Sequence, residues 1–114
     1  MAVNRRRGEV GAIIEGRERR LCLTLGALAE LEDAFSADNL ADLAARFGGG
    51  RLSARDLVRI IGAGLRGAGA EVSDGEVESM RIDGGAAGAA ALAAKLLTAA
   101  FGSADRSVEP APDP

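Results

Sequence analysis

The sequence predicts an α+β domain in which an N-terminal β-hairpin packs against four or five short α-helices. Three observations carry this. Period-two alternation is confined to residues 9–25, where Val10, Ala12 and Ile14, and then Leu21, Leu23 and Leu25, fall on alternate positions. Beyond residue 25 the apolar residues recur at helical spacing in short blocks separated by Gly- and Ser-containing breaks. Two Ser-x-x-acid patterns, at Ser53 and Ser73, are written like helix starts. With 114 residues, 47% of them hydrophobic, the chain holds one core and not two.

The two strands are separated by Glu15-Gly16-Arg17-Glu18-Arg19, charged enough to stay in water and with a Gly for positive φ. A loop of roughly three to five residues fits there. A lone hairpin is marginal in water, so helices must cover one of its faces. The first helix follows directly, with Thr24 as N-cap, Leu28, Leu31 and Phe35 on one side and Glu30, Glu32 and Asp33 projecting elsewhere. Ser36 to Asn39 ends it. Leu40, Leu43, Ala44 and Phe47 form a second apolar stripe that stops at Gly48-Gly49-Gly50.

The third helix has the clearest start. Ser53 caps, Asp56 stands at N3, and Leu52 with Leu57 occupies the positions of a hydrophobic staple; Val58, Ile61 and Leu65 carry the buried stripe. The device recurs with Ser73, Glu76, Val72 and Val77, opening a helix that runs to about Ile82. Residues 84–101 are rich in Ala, with Leu92, Leu96, Leu97 and Phe101 on one face and Gly102 where a C-cap belongs. All three prolines lie in 103–114, the composition of a disordered tail. The expected organisation is a flexible basic N-terminus over 1–8, a single domain over 9–102 and a Pro-rich tail over 103–114.

Composition narrows the function. There is no His and one Cys, Cys22, which removes the usual zinc ligands, any internal disulfide and every His-dependent acid, base or nucleophile arrangement. Cys22 lies inside the strand pattern and reads as a buried or half-buried small apolar residue. The expectation is a protein that is not an enzyme and carries no cofactor or metal. Residues 1–25 hold six Arg against three Glu, while the remainder holds eight basic against fourteen acidic residues. Such a two-faced charge suits docking on a protein more than on duplex DNA. No apolar run approaches the about 18 residues of a membrane span, and no apolar stretch follows the N-terminal arginines, so a cytoplasmic protein is expected. Three Phe with no Trp or Tyr leave a thin core of Leu, Ile, Val and Ala, which invites stabilisation by a partner or by self-association.

A literal dinucleotide fingerprint occurs at Gly62-Ala63-Gly64-Leu65-Arg66-Gly67, with Asp83 about twenty residues on. Its mechanism requires Ile60 and Ile61 to end a strand, so that the glycines open a helix towards a pyrophosphate. The box at Ser53 instead starts a helix that runs into them. Gly62 and Gly64 then read as close-packing positions, and Gly67 and Gly69 as helix termination. Arg5-Arg6-Arg7 could contact phosphates, but three arginines without interleaved aromatics on an acidic chain argue against nucleic acid. The acidic clusters Glu30-Leu31-Glu32-Asp33 and Asp74-Gly75-Glu76-Val77-Glu78 fit solvated or cap-stabilising helix positions better than a metal site. Small residues on several sides of the last helix allow it to pack on another protein as well as on the core.

One resemblance extends over most of the chain. Arg7-Gly8-Glu9-Val10, opening the alternating segment, then Leu21-Cys22-Leu23-Thr24-Leu25 and Gly26-Ala27-Leu28-Ala29-Glu30-Leu31-Glu32, resemble the gene transfer agent family of small phage-tail proteins. The likeness continues through Leu52-Ser53-Ala54-Arg55-Asp56-Leu57 and Gly64-Leu65-Arg66-Gly67-Ala68-Gly69 and fades towards the C-terminus. Members are classed as tail assembly chaperones or tail-tube-related proteins. The resemblance implies a non-enzymatic role in building the tail of a phage-like particle, with the tape measure protein and the major tail protein as partners. Its residues of interest are Arg7, Gly8 and Glu9 at the start of the hairpin and Leu28, Leu31 and Glu32 on the first helix. A structural tail-tube subunit, associated with the virion, is the nearest alternative. A small nucleotide- or nucleic-acid-binding regulatory module is the alternative of another class.

Overall fold

A computed structural model describes residues 8–48 and 51–102. Apart from Gly8, the basic N-terminus expected over 1–8 lies outside the described residues, as does the Pro-rich tail expected over 103–114. An antiparallel hairpin, β1 (Glu9–Ile14) and β2 (Arg17–Cys22), precedes five helices: α1 (Leu25–Phe35), α2 (Leu40–Gly48), α3 (Ala54–Gly67), α4 (Asp74–Glu78) and α5 (Gly85–Leu97). A π-helical turn, Thr98–Gly102, continues α5. The α+β class and the hairpin-plus-helices architecture are as the sequence predicts.

The hairpin loop is tighter than predicted. The register pairs Ile14 with Arg17, leaving a two-residue connection, Glu15-Gly16, and placing Arg17, Glu18 and Arg19 inside β2. Both loop residues have positive φ, 56° and 75°, as a turn matched to the twist of the strands requires. Gly16 adopts this without strain, whereas Glu15 does so at a cost. Tertiary bonds offset that cost: the Glu15 N–H donates to Arg81 O at 2.8 Å, and Glu15 Oε2 accepts from the Arg81 N–H at 2.6 Å. A local reading of the loop has no access to Arg81.

The same contact explains the early end of α4. Its capping box forms as written, with Ser73 Oγ accepting from Glu76 N–H at 3.1 Å and Glu76 Oε1 accepting from Ser73 N–H at 2.8 Å. The helix nevertheless stops at Glu78 rather than near Ile82, because Arg81–Asp83 run along the outer edge of β1. Ile82 bridges Ile14, and the Asp83 N–H donates to Ile13 O at 3.0 Å. Pairing of backbone groups on an otherwise open strand edge outweighs one more turn of helix.

Caps set the other boundaries. Thr24 Oγ1 accepts from Ala27 N–H at 3.1 Å to open α1, so Leu25 is the first helical residue and not a strand residue, and 79% of its surface is exposed. Ser36, left-handed at φ 54°, closes α1. Asn39 Oδ1 accepts from Asp42 N–H at 2.8 Å at the start of α2, and the Ser53–Asp56 box opens α3 with bonds of 3.1 and 3.0 Å.

The core lies between the hairpin and the helices. Ile14, Leu21, Leu31, Leu43, Ile60, Ile61, Leu65 and Leu96 are fully buried, each contributing about 1.5–3 kcal/mol of transfer free energy. α3 is at the centre, packed on β2, α1, α4 and α5. All of Ile60 to Leu65 is buried, a wider burial than the Val58, Ile61 and Leu65 stripe the spacing predicts. Glycines permit this approach. A Cβ on Gly67 would overlap the Cys22 carbonyl oxygen, and one on Gly64 would lie 3.1 Å from Leu96 Cδ1 and 3.3 Å from Leu21 Cβ. Gly67 is therefore a close-packing position as well as the last residue of its helix, and Gly69, at φ +101°, makes the turn beyond it.

Two alanine substitutions separate packing from propensity. Gly67→Ala forces β2 and α3 apart and should lower unfolding stability by about 1–3 kcal/mol in urea denaturation. Gly26→Ala, on α1 with nothing closer to the new methyl than Thr24 Oγ1 at 3.8 Å, should raise it by up to about 1 kcal/mol.

Candidate protein-interaction surface

The residues singled out by sequence do not form one patch. Arg7 lies outside the described residues. Gly8 enters β1 with φ +77°, and Glu9 beside it is half-buried with its carboxylate 4.0 Å from Arg20. Leu28 and Leu31 face inward at 6% and 1% exposure, occupied in the core. Glu32 is half-buried on α1. Cys22 is half-buried in β2. The surface-accessible members thus sit at the start of the hairpin and on α1, and the two leucines hold α1 in place.

Exposed apolar groups lie elsewhere: Leu25 at the start of α1, Ile13 at 38% on the hairpin and Leu40 at 40% at the start of α2. On α5, Ala86, Ala87, Ala90, Ala91 and Ala94 are exposed. A shallow hollow of about 370 Å³ opens between β2 and the turn after α3, lined by Glu18, Arg19, Arg20, Ala68, Gly69 and Ala70. It carries charge from the strand and small groups from the turn. Among the described residues no three Cys, Asp or Glu side chains gather in a way that could hold a metal ion. α3 runs unbroken through the glycine fingerprint, so the strand-to-helix turn that dinucleotide binding needs is absent there.

A polar junction that the sequence reading missed ties α3 to α1 and α4. Arg66 donates from Nε and Nη2 to Glu30 Oε1 at 3.1 and 2.7 Å, and from Nη1 to Val72 O at 3.0 Å. Its Nη2 also stands 3.0 Å from Asp74 Oδ1, a buried oxygen with no aligned hydrogen bond, compensated by the charge of the guanidinium. Gly62 leaves the room for this pair, since a Cβ there would overlap Asp74 Oδ1 and lie 3.1 Å from Arg66 Nη1. The hydrogen bond to Glu30 raises the Arg66 pKa above its ordinary value; burial opposes this and Asp74 adds to it. Because the folded pKa is the higher one, the stabilising charge is fully present below the ordinary arginine range and is lost only as pH climbs through and above it.

The family model described as "Phage tail tube protein, GTA-gp10" matches residues 7–103. The chain belongs to that family. The matched range takes in every element of this GTA-gp10 family fold, from β1 to the π-helical turn. Membership makes the chain a tail-related protein, in line with the gene transfer agent resemblance of its first third. Neither the curated proteins nor the solved structures contain a match to it. Among the described residues of this family member, no helix is long and apolar enough to cross a membrane.

Arg66→Ala leaves Asp74 Oδ1 buried without its countercharge and should lower stability by about 1–3 kcal/mol in urea denaturation. Arg66→Lys, which keeps the charge and loses the fork, should recover part of that. The deficit of the alanine variant should be the same at about pH 6 and pH 9, because Arg66 is charged at both.

Proposed function

We propose that the chain is a non-enzymatic tail assembly chaperone, which binds the tape measure protein and the major tail protein of a phage-like particle before they polymerise. The observation that carries this reading is the family match over residues 7–103 on a domain whose described residues form one two-stranded sheet. A tube wall of stacked sheets needs free strand edges along which neighbouring sheets can continue, and the outer edge of β1 is covered in part by Arg81–Asp83. Work as a chaperone asks for something else: accessible groups on a small rigid frame, here Glu32 on α1 and the exposed alanines of α5, with the half-buried Gly8 and Glu9 at the start of the hairpin beside them as part of the proposed contact. Arg7, outside the described residues, is included on the family resemblance alone, while Leu28 and Leu31 act through the placement of α1. The cytoplasm, where particles assemble, is the site of action.

A structural tail-tube subunit is the second reading, favoured by the words of the family description itself. Co-expression decides between them. The chaperone reading predicts a stable complex with the cognate tape measure protein and a gain in that protein's solubility when this chain is present. Rings or tubes formed by the purified chain, without a complex, would put the structural subunit first. Within the chaperone reading, Glu32→Lys should leave stability within about 0.5 kcal/mol and reduce the solubility gain. An undiminished gain would remove Glu32 from the contact.

A further inference from the structure

A group of guanidiniums at the meeting of α1, α2 and α3 has no part in the roles above. Arg46, in the last turn of α2, places its Cζ 4.8 Å from the ring centre of Phe35, and Arg59 on α3 places its own 5.7 Å from the same ring. Phe35 is in turn packed edge-to-face on Phe47 at 5.1 Å. Arg55 precedes Arg59 by four residues, so the two share one face of α3 with Cβ atoms about 5–6 Å apart.

These charges are poorly compensated. Arg46 reaches Asp56 only at 3.8 Å, and Asp56 Oδ2 already accepts from the Ser53 N–H. Arg59 makes one long bond, from Nη1 to Ala34 O at 3.4 Å. Arg55 is exposed and has no acidic partner among the described residues. A solvated arginine normally costs nothing, but two guanidiniums held against one aromatic ring, with Arg55 one turn from Arg59 on α3, repel one another, and a carboxylate between them relieves that repulsion.

We propose that this face, with Arg46 and Arg59 over Phe35 and Arg55 one turn from Arg59 on α3, docks an acidic helical segment of another protein, whose carboxylates at i and i+4 are received by Arg55 and Arg59. The planar guanidinium fork matches a carboxylate at two points, and the spacing on α3 repeats the spacing of i, i+4 acids on a partner helix. Contact with the Phe35 ring restrains Arg46 and Arg59, so less side-chain freedom is lost when they bind. Polynucleotide fits less well. The Phe35 ring already lies under two guanidiniums and is not offered to a base, and a long polyanion would meet the exposed Asp33 on α1, Asp38 in the connection after it and Asp42 on α2, on a chain with net charge −3. The inference holds for either tail role, and its test uses neither tape measure nor tail protein, so it can fail while those readings stand.

The test is fluorescence anisotropy of a labelled synthetic helical peptide with glutamates at i, i+4 and i+8, titrated with the full chain at low salt. The same peptide with glutamine and an oligothymidine serve as comparisons. The glutamate peptide should bind about tenfold or more tightly than the glutamine peptide, and its affinity should fall as salt rises. The pair R55E/R59E should weaken it by about tenfold or more, and R55K/R59K by less. Because Arg59 is half-buried, R55E alone is the cleaner variant: it removes no internal contact, should keep the wild-type circular dichroism, and should still weaken binding several-fold. Equal binding of the two peptides, or R55E with unaltered affinity and intact fold, overturns the proposal. Tighter binding of the oligothymidine reassigns the face to nucleic acid. Salt-sensitive self-association in sedimentation that R55E abolishes reassigns it to a second copy of this chain.

Discussion

The close approach of β2, α4 and α5 to α3 is the constraint on which the other elements depend. Six successive residues of α3, Ile60 to Leu65, are buried, which means that neighbours press on the helix from every side at that level. With ordinary side chains at every position the neighbours would be held at the usual interaxial distance of about 8–10 Å. Gly62, Gly64 and Gly67 remove that spacing: one admits the Asp74 carboxylate, one admits Leu21 and Leu96, and one admits the Cys22 carbonyl. Glycines cost helix stability, about 1 kcal/mol each relative to Ala, and the Ser53–Asp56 capping box together with burial of Ile60, Ile61 and Leu65 offsets that cost.

Once α3 is enclosed, a small number of polar contacts orient what surrounds it. Arg66 joins Glu30, Asp74 and the Val72 carbonyl, so the directions of α1 and α4 relative to α3 are held by one guanidinium. Glu15 and Arg81 do the corresponding work at the far end of the hairpin, where Glu15, strained at positive φ, is held by two bonds from a distant segment. The segment Arg81–Asp83 thereby covers part of the β1 edge that a two-stranded sheet would leave open. Part of the sheet's capacity to grow by pairing is thus spent inside the domain.

This arrangement bears on how a member of a tail protein family can act. Its interior is enclosed, and what the outside offers is the exposed alanines of α5, Leu25, the charged start of the hairpin and the arginines Arg46 and Arg59 over Phe35. The surface is divided by charge in a way that net charge conceals, with acids on α1 and at the start of α2 beside arginines at the end of α2 and on α3. The proposed chaperone contact and the proposed acidic-helix dock would use different faces of this surface.

What the sequence determined by itself were the features set by neighbours in the chain. The α+β class, the N-caps at Thr24, Ser53 and Ser73, and the inward face of α1 all follow from periodicity and local hydrogen bonding, and the structure has them where they were expected. The family was legible for a related reason, since its likeness resides in short runs of residues, such as Arg7 to Val10 and Leu21 to Glu32, that are read along the chain without knowing what they meet in space. Only the tertiary structure decided the two-residue turn at Glu15-Gly16, the end of α4 at Glu78, the burial of Ile60 beside Ile61, and the meeting of Arg46 and Arg59 on Phe35. Each depends on a partner far away in sequence. Arg81 lies 66 residues from Glu15, and Arg66 lies 36 from Glu30. A periodic pattern records which side of an element is apolar, but not which distant backbone edge or charge will meet the other side, because that is settled only when the chain closes on itself.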